Sequence, residues 1–552
     1  MSKKKANPAP PDSPAASRVW KWVDSHSVLF FVAVMLFASL RIVSTYTIFN
    51  HTGDEPAHVA CGMEWLEKGT YHIEPQHPPL ARVAAALGPY LLGLRGHGAD
   101  NFAQEGALIL YDNNKYDRNL AAARLGILPF FWICSAVVYL WARRYLGYRE
   151  AAFALLLFTF IPSVLAHAGL ATTDMALTAF LSAAFLSGLV WAERPELGRA
   201  AVFGLCTGLA VLSKFSTLPY LPCAFLAVLG WYYLVERPRF SDLLNAAAKR
   251  FLPFCFALAV GALVIWAGYR FSFGHTKMFG MSVPAPALFD GIVDVMGHDS
   301  HGHPSFLLGM HSMHGWWYYF PVVLAVKTPI PLLAALGFGI AALWKKQGWA
   351  KVALGCPLAF SAAILFYALF SHINIGLRHI LPVYVGMSIV AAAGLVRLLD
   401  LMPHAKWAAW TLGIILVWSA GTSLLSHPDY IPYFNFFAGS EPENIVADSD
   451  LDWGQDMKRL AEKLHEVHAT HVTFNPFIVA YLEQVHGFPP IQQMDPENPS
   501  PGWNAVSLTV LKVARLGLED KEPGVQLWPE HIAPTARVGK TTLLYYFPPT
   551  RR

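Results

Sequence analysis

Asp54 and Glu55, in the run Thr52-Gly53-Asp54-Glu55-Pro56-Ala57-His58, place two carboxylates and an imidazole within about one helical turn. A carboxylate at the water–lipid boundary can remove the proton of an acceptor hydroxyl as that hydroxyl attacks. Asp before Glu-Pro is also a good helix N-cap, which would explain one acidic residue without chemistry. A third carboxylate, Asp174, follows Ala171-Thr172-Thr173, where it could orient an acceptor, bind a metal or tune a base. The candidate catalytic carboxylates are therefore Asp54, Glu55 and Asp174. Four cations, Lys214, Arg270, Lys327 and Arg378, lie within or at the ends of apolar runs. Intramembrane cations are costly and face a cavity or a partner, and a phosphate head group at the boundary would use such residues. Snorkelling to the interface is the plainer reading for Lys214, Arg270 and Arg378. His58 shares a helix face with Asp54, which makes it the candidate ligand of a divalent metal, although no tight metal motif is present.

These groups need a scaffold, and the composition supplies one. The chain has 552 residues, 55% hydrophobic and 14% charged, with a net charge of +4. Soluble domains carry roughly 25% charged residues. The deficit comes from apolar runs long enough to cross a bilayer, over 27–47, 121–141, 150–168, 173–192, 199–213, 215–236, 251–271, 316–344, 352–371, 379–397 and 407–425. The class is an α-helical polytopic membrane protein of about eleven spans. Basic clusters follow the second, fourth, sixth and eighth spans (Arg143/Arg144/Arg149, Arg194/Arg199, Arg237/Arg239/Lys249/Arg250, Lys345/Lys346/Lys351), on the side of Lys3, Lys4 and Lys5. The positive-inside rule puts that side in the cytoplasm. It also gives the basic residues a topological role rather than one in nucleic-acid binding.

Residues 1–26, rich in Pro, Ala and Ser, are expected to be a disordered cytoplasmic tail. Residues 27–426 form the membrane domain, with two long outer loops, 48–120 and 272–315. In the first loop, helical stretches 54–68 and 80–94 flank Glu74-Pro75-Gln76-His77-Pro78-Pro79. An odd span count places 427–552 outside as a small α/β domain, with apolar runs at 445–447, 471–474, 505–512 and 542–547 and a helical pattern at 456–467. Six cysteines show no paired spacing, so no disulfide framework is indicated. Val538-Gly539-Lys540-Thr541 resembles the end of a P-loop, but Pro534 stands where the first glycine is required, and it reads as a turn before the last strand.

The acidic run, together with His77-Pro78-Pro79-Leu80, resembles the first outer loop of bacterial GT-C glycosyltransferases, the relatives of protein O-mannosyltransferases and of the lipid A aminoarabinose transferase. Further matching stretches are Leu170–Asp174, Gly208–Lys214, Gly315–Pro321, Asn374–His379 and Leu451–Asp456. The resemblance implies a GT-C transmembrane bundle and a sugar donor linked to a polyprenyl phosphate. It also implies inverting transfer to an acceptor lipid, glycan or protein at the extracytoplasmic face of the inner membrane. By that pattern Asp54 is the base, Asp174 the second acidic position, and Lys214 and Arg378 hold the donor phosphate. Nucleotide sugars are not available outside, so an outward-facing transferase needs a donor delivered through the membrane. A transporter or flippase also fits many spans and intramembrane charges, although no inverted repeat is visible. A non-catalytic glycan-assembly protein would use Trp316-Trp317-Tyr318-Tyr319 to stack on sugar.

Overall fold

The computed structural model describes residues 14–495, 497–519 and 527–549. Among them seven straight helices are long and apolar enough to cross a membrane: Tyr116–Tyr145, Asp174–Glu193, Thr217–Glu236, Phe240–Gly268, Gly348–Ala368, Val383–Leu401 and Lys406–Leu425. Three bent helix pairs reach that length and hydropathy only when taken together, as a broken span or a re-entrant loop would: Val19–Ser25 with Ser27–Val43, Tyr148–Thr159 with Pro162–Ala168, and Tyr319–Lys327 with Ile330–Trp344. The span expected over 199–213 falls on a shorter apolar helix, Leu197–Ser213. Val383–Leu401 is the most enclosed of the straight spans and Phe240–Gly268 the least, at 83% and 11% buried, so the first forms the bundle's axis and the second its rim.

The structure differs from the expected outline in two places. Part of the tail expected to be disordered, Pro14–Ser25, is helical. Trp20 packs edge-on against Phe153 and Val23 is buried, so an amphipathic face has found a partner. Residues 1–13 lie outside the described residues. The span expected in one piece over 316–344 is broken at Thr328-Pro329, where its halves meet at 108°. Proline cannot donate to the helix ladder and disfavours helical geometry in the residue before it. The freed carbonyls find partners in the tail, because Asn435 Nδ2 donates to Ala325 O at 2.6 Å and to Thr328 O at 2.7 Å.

Above the bundle, the first outer loop folds into helices Glu55–Lys68, Pro79–Leu91 and Phe102–Tyr111. The first two begin at the Pro-bearing positions expected of helix starts. The first packs so closely on the other two that a Cβ at Gly62 would lie 2.0 Å from the Arg82 carbonyl oxygen, and one at Gly106 would lie 1.8 Å from that of Pro56. The second loop carries two hairpins, β1 (Phe273–His275) with β2 (Ser282–Pro284) and β3 (Ser305–Leu307) with β4 (Met310–Ser312), around helix Pro286–His301.

The tail folds into a five-stranded sheet of β5 (Val472–Phe474), β6 (Ile491–Gln492), β7 (Gly502–Ser507), β8 (Ala536–Val538) and β9 (Thr542–Phe547), in the order β6-β5-β7-β9-β8. Leu460, Ala461 and Leu464 of helix Met457–Glu466 pack on this sheet. Val446 bridges to Leu307 instead of joining it. Gly539, at φ 55°, turns the β8–β9 hairpin, which settles the P-loop-like run as a turn.

Candidate active site

Asp54 stands at the N-cap of Glu55–Lys68, yet its side chain makes no capping hydrogen bond. It accepts one from Arg378 Nη1 at 2.5 Å instead. Arg378 lies in the short turn Leu377–Ile380, just before the axial helix Val383–Leu401. Nearby, Asp174, the first residue of its span, accepts from Lys214 Nζ at 2.7 Å. Lys214 is the residue immediately after Leu197–Ser213. The two ion pairs form one electrostatic cluster. Burial would lower the Arg378 pKa, but the carboxylates of Asp54, Asp174 and Asp448 outweigh it and hold the guanidinium above its usual value. Several polar atoms around this cluster are buried without a protein hydrogen-bond partner: Asp174 Oδ2, Thr172 Oγ1, His167 Nδ1, His379 Nε2 and Arg378 Nε. Buried polar groups are satisfied as a rule, so these are hydrogen-bonding sites available to a polar ligand.

The tail forms one wall. The Trp453 ring stacks on the Arg378 guanidinium, 4.2 Å from its carbon to the ring centroid. Gly53 N donates to Trp453 O at 3.1 Å, which joins the acidic loop to the same residue. Asp450 accepts from Leu377 N with both oxygens at 3.1 and 3.2 Å, and Ser449 Oγ donates to Ile375 O. Asn50 donates to Gly454 O and accepts from Met457 N, at 2.6 and 2.7 Å. Asp448 sits on this strap in a left-handed conformation, φ 59°. Desolvation, opposed by Arg378, pushes its carboxyl up to about 7.

Not all the expected residues converge. Glu55, expected beside Asp54 as a catalytic carboxylate, is fully buried. Arg124 grips it twice at 2.8 Å, and Ala171 N, Thr52 N and Thr52 Oγ1 donate to it at 2.9, 2.8 and 3.2 Å. Five donors on two oxygens leave no capacity for a substrate. Lys327 is also withdrawn from any phosphate, because its ammonium donates to the carbonyls of Ile431 and Asp450 at 2.6 and 2.5 Å. Arg270 lies apart. It stacks on Trp65 at 4.0 Å, three turns and about 16 Å along the helix from Asp54. His58 Nδ1 accepts from Arg82 Nε at 3.0 Å. Among the described residues no three His, Cys, Asp or Glu side chains converge as a metal centre requires.

The sequence gives His77 no role beyond its place in the run His77-Pro78-Pro79-Leu80, although Lys214, Asp54, Arg378 and Asp174 all act on its ring. Burial and the two cations push its pKa down to about 4 against the two carboxylates. The available signal was an arginine three residues past the double proline.

The family described as dolichyl-phosphate-mannose-protein mannosyltransferase matches residues 116–266. No curated protein is similar enough in sequence to count as a relative. Among solved structures, ArnT from Cupriavidus metallidurans bound to undecaprenyl phosphate superposes with a TM-score of 0.51 at 16% identity, over 94% of this chain and 98% of that one. Its apo form gives 0.51 at 15%, over 95% and 98%. An Archaeoglobus fulgidus oligosaccharyltransferase gives 0.48 at 11%, over 73% and 56%. The chain thus shares the GT-C fold of ArnT, and its residues 116–266 are similar to the protein mannosyltransferases.

Proposed function

We propose that this protein transfers a sugar, with inversion, from a polyprenyl-phosphate donor to an acceptor hydroxyl at the extracytoplasmic membrane face. The reading rests on one observation above all. The Asp54–Arg378 contact stands beside the Asp174–Lys214 pair where membrane spans end, amid buried polar atoms without protein partners. The acceptor's proton passes to Asp54 as its oxygen bonds to the anomeric carbon. The carbon–oxygen bond to phosphate breaks, and its electron pair leaves with the lipid phosphate. Arg378 and Lys214 stabilise that developing anion. When the phosphate takes a share of Arg378, Asp54 is freed to accept the proton. Asp174 orients Lys214. Glu55 anchors the acidic loop to Arg124 and so places its neighbour. ArnT, which shares the fold, was solved with undecaprenyl phosphate, and the same lipid class suits this cluster.

Undecaprenyl phosphate binding to the purified protein tests the reading. Arg378→Gln removes the cation and its charge-assisted hydrogen bonds and should weaken binding by at least about tenfold. Equal affinity for wild type and variant would remove the phosphate from this site. Trp453→Leu strips the aromatic face from Arg378, a cation–π contact of ~0.5–2 kcal/mol, and should weaken the same binding by roughly 2- to 30-fold. An unchanged titration would reduce the tail to a bystander.

The orientation has its own test. Single cysteines at the exposed positions Asp100 and Gln493 should react with an impermeant maleimide in intact cells or spheroplasts, and one at Gln347 should not. Labelling of Gln347 alone would put the cluster in the cytoplasm.

A further inference from the structure

One arginine contacts two imidazoles of the first outer loop, His58 and His77. Arg82, 1% exposed, lies on helix Pro79–Leu91 beneath the turn Glu74–His77. Its Nε donates to His58 Nδ1 at 3.0 Å, and its Nη2 lies 3.2 Å from His77 Nδ1. The two rings meet edge to face, 5.3 Å apart at 74°. The guanidinium also pairs with the Glu74 carboxylate and donates from Nη1 to Glu74 O at 2.5 Å and Tyr71 Oη at 3.1 Å. Tyr71 in turn donates to His77 O at 2.5 Å, so the whole turn is wrapped around Arg82.

Arginine has donors and no acceptor. A ring nitrogen facing it at hydrogen-bond distance must therefore accept, and a neutral imidazole that accepts on Nδ1 carries its proton on Nε2. Glu74 offers no competing acceptor to His77, since its carboxylate oxygen is 3.6 Å from Nδ1 and already pairs with Arg82. We propose that Arg82 is a positioning residue that fixes His58 and His77 as neutral Nε2–H tautomers, so that the pair presents hydrogen-bond donors to the oxygens of a lipid phosphate at the Arg378–Lys214 cluster.

The surroundings agree. Lys214 and Arg378 oppose a charge on His77, Asp54 and Asp174 favour one, His58, His298 and His379 are further imidazoles acting with it, and burial decides for the neutral ring. Burial and Arg82 hold His58 neutral in the same way. The two rings therefore serve neither as the base nor as Nδ1 metal ligands.

This inference rests on the lipid-phosphate reading, and the experiment separates the two. The full-length protein in nanodiscs is titrated with undecaprenyl phosphate. Gln places its amide N–H near the position of Nε2 and Asn places it near Nδ1. His77→Gln should bind within about threefold of wild type, and His77→Asn and His77→Ala about tenfold more weakly, the loss of one hydrogen bond to an anion. Wild-type affinity should show no histidine-dependent change between pH 5.5 and 8. A variant at buried Arg82 risks misfolding, so the tautomers are read on the wild-type protein by 15N-histidine NMR, with His58→Gln and His77→Gln assigning the signals. Unprotonated Nδ1 with protonated Nε2 on both rings is expected. Protonated Nδ1 on either ring, or His77→Asn binding as well as His77→Gln, overturns the inference. If the wild type binds no undecaprenyl phosphate, the lipid-phosphate reading falls and the proposed ligand with it, whatever tautomers the spectra show.

Discussion

Replacing Asp54 by Asn should lower sugar transfer by about 10²–10⁴-fold, the usual contribution of a positioned general base, while the protein still inserts and folds. Asn keeps the size of the side chain and an oxygen for Arg378, but it cannot take a proton from an acceptor. The fold has little at stake, because Asp54 makes no capping hydrogen bond and its side chain is 37% exposed. Consumption of polyprenyl-phosphate-linked sugar by membranes carrying equal amounts of each protein is the measurement. More than about a tenth of wild-type turnover would end the general-base assignment.

The residue beside it should fail differently. Glu55→Ala leaves Arg124 charged and buried without its carboxylate, a class of change that costs ~3–5 kcal/mol. The expected result is a large fall in thermal stability or yield in detergent, in contrast to the folded, inactive Asp54→Asn protein. The pH dependence follows from the same contacts. Burial alone would raise the Glu55 pKa, but Arg124 and the amides of Ala171 and Thr52 hold it below the usual value. A depressed carboxyl contributes stability above its unfolded-state pKa, and this is lost as pH falls through the folded one. Wild type should therefore lose stability in acid below about pH 4.5, and Glu55→Gln, already weaker, should lose less there. A Glu55→Ala protein as stable as wild type would mean that the Arg124 pair does not hold the loop.

The two adjacent carboxylates show how far sequence reading reaches. Apolar runs and proline positions locate the spans and the loop helices, because hydropathy and missing N–H groups act locally. The run Thr52–His58 and the cations at span ends supply the candidate residues. Their pairing depends on tertiary geometry. Asp54 turns to Arg378, 324 residues away in sequence, and Glu55 turns to Arg124, buried inside a span where it drew no notice. Lys327 looks like a phosphate ligand until the broken span brings tail carbonyls to its ammonium. Arg270 sits at the end of a span like Arg378, yet the fold gives it Trp65. The strap 448–453 could be placed outside the membrane from the parity of spans, but its grip on Arg378 depends on a cation–π contact and on amide bonds with no periodic signature.

In the proposed function a lipid-linked sugar is consumed at Asp54. Mass spectrometry of polyprenyl-phosphate-linked sugars and of cell-surface glycans, in cells whose only copy is wild type or Asp54→Asn, tests it most directly. The Asp54→Asn cells should accumulate one polyprenyl-phosphate sugar and lack one glycan modification, thereby naming donor and acceptor together. Unchanged pools of both, with the variant protein present in the membrane at wild-type level, would contradict it.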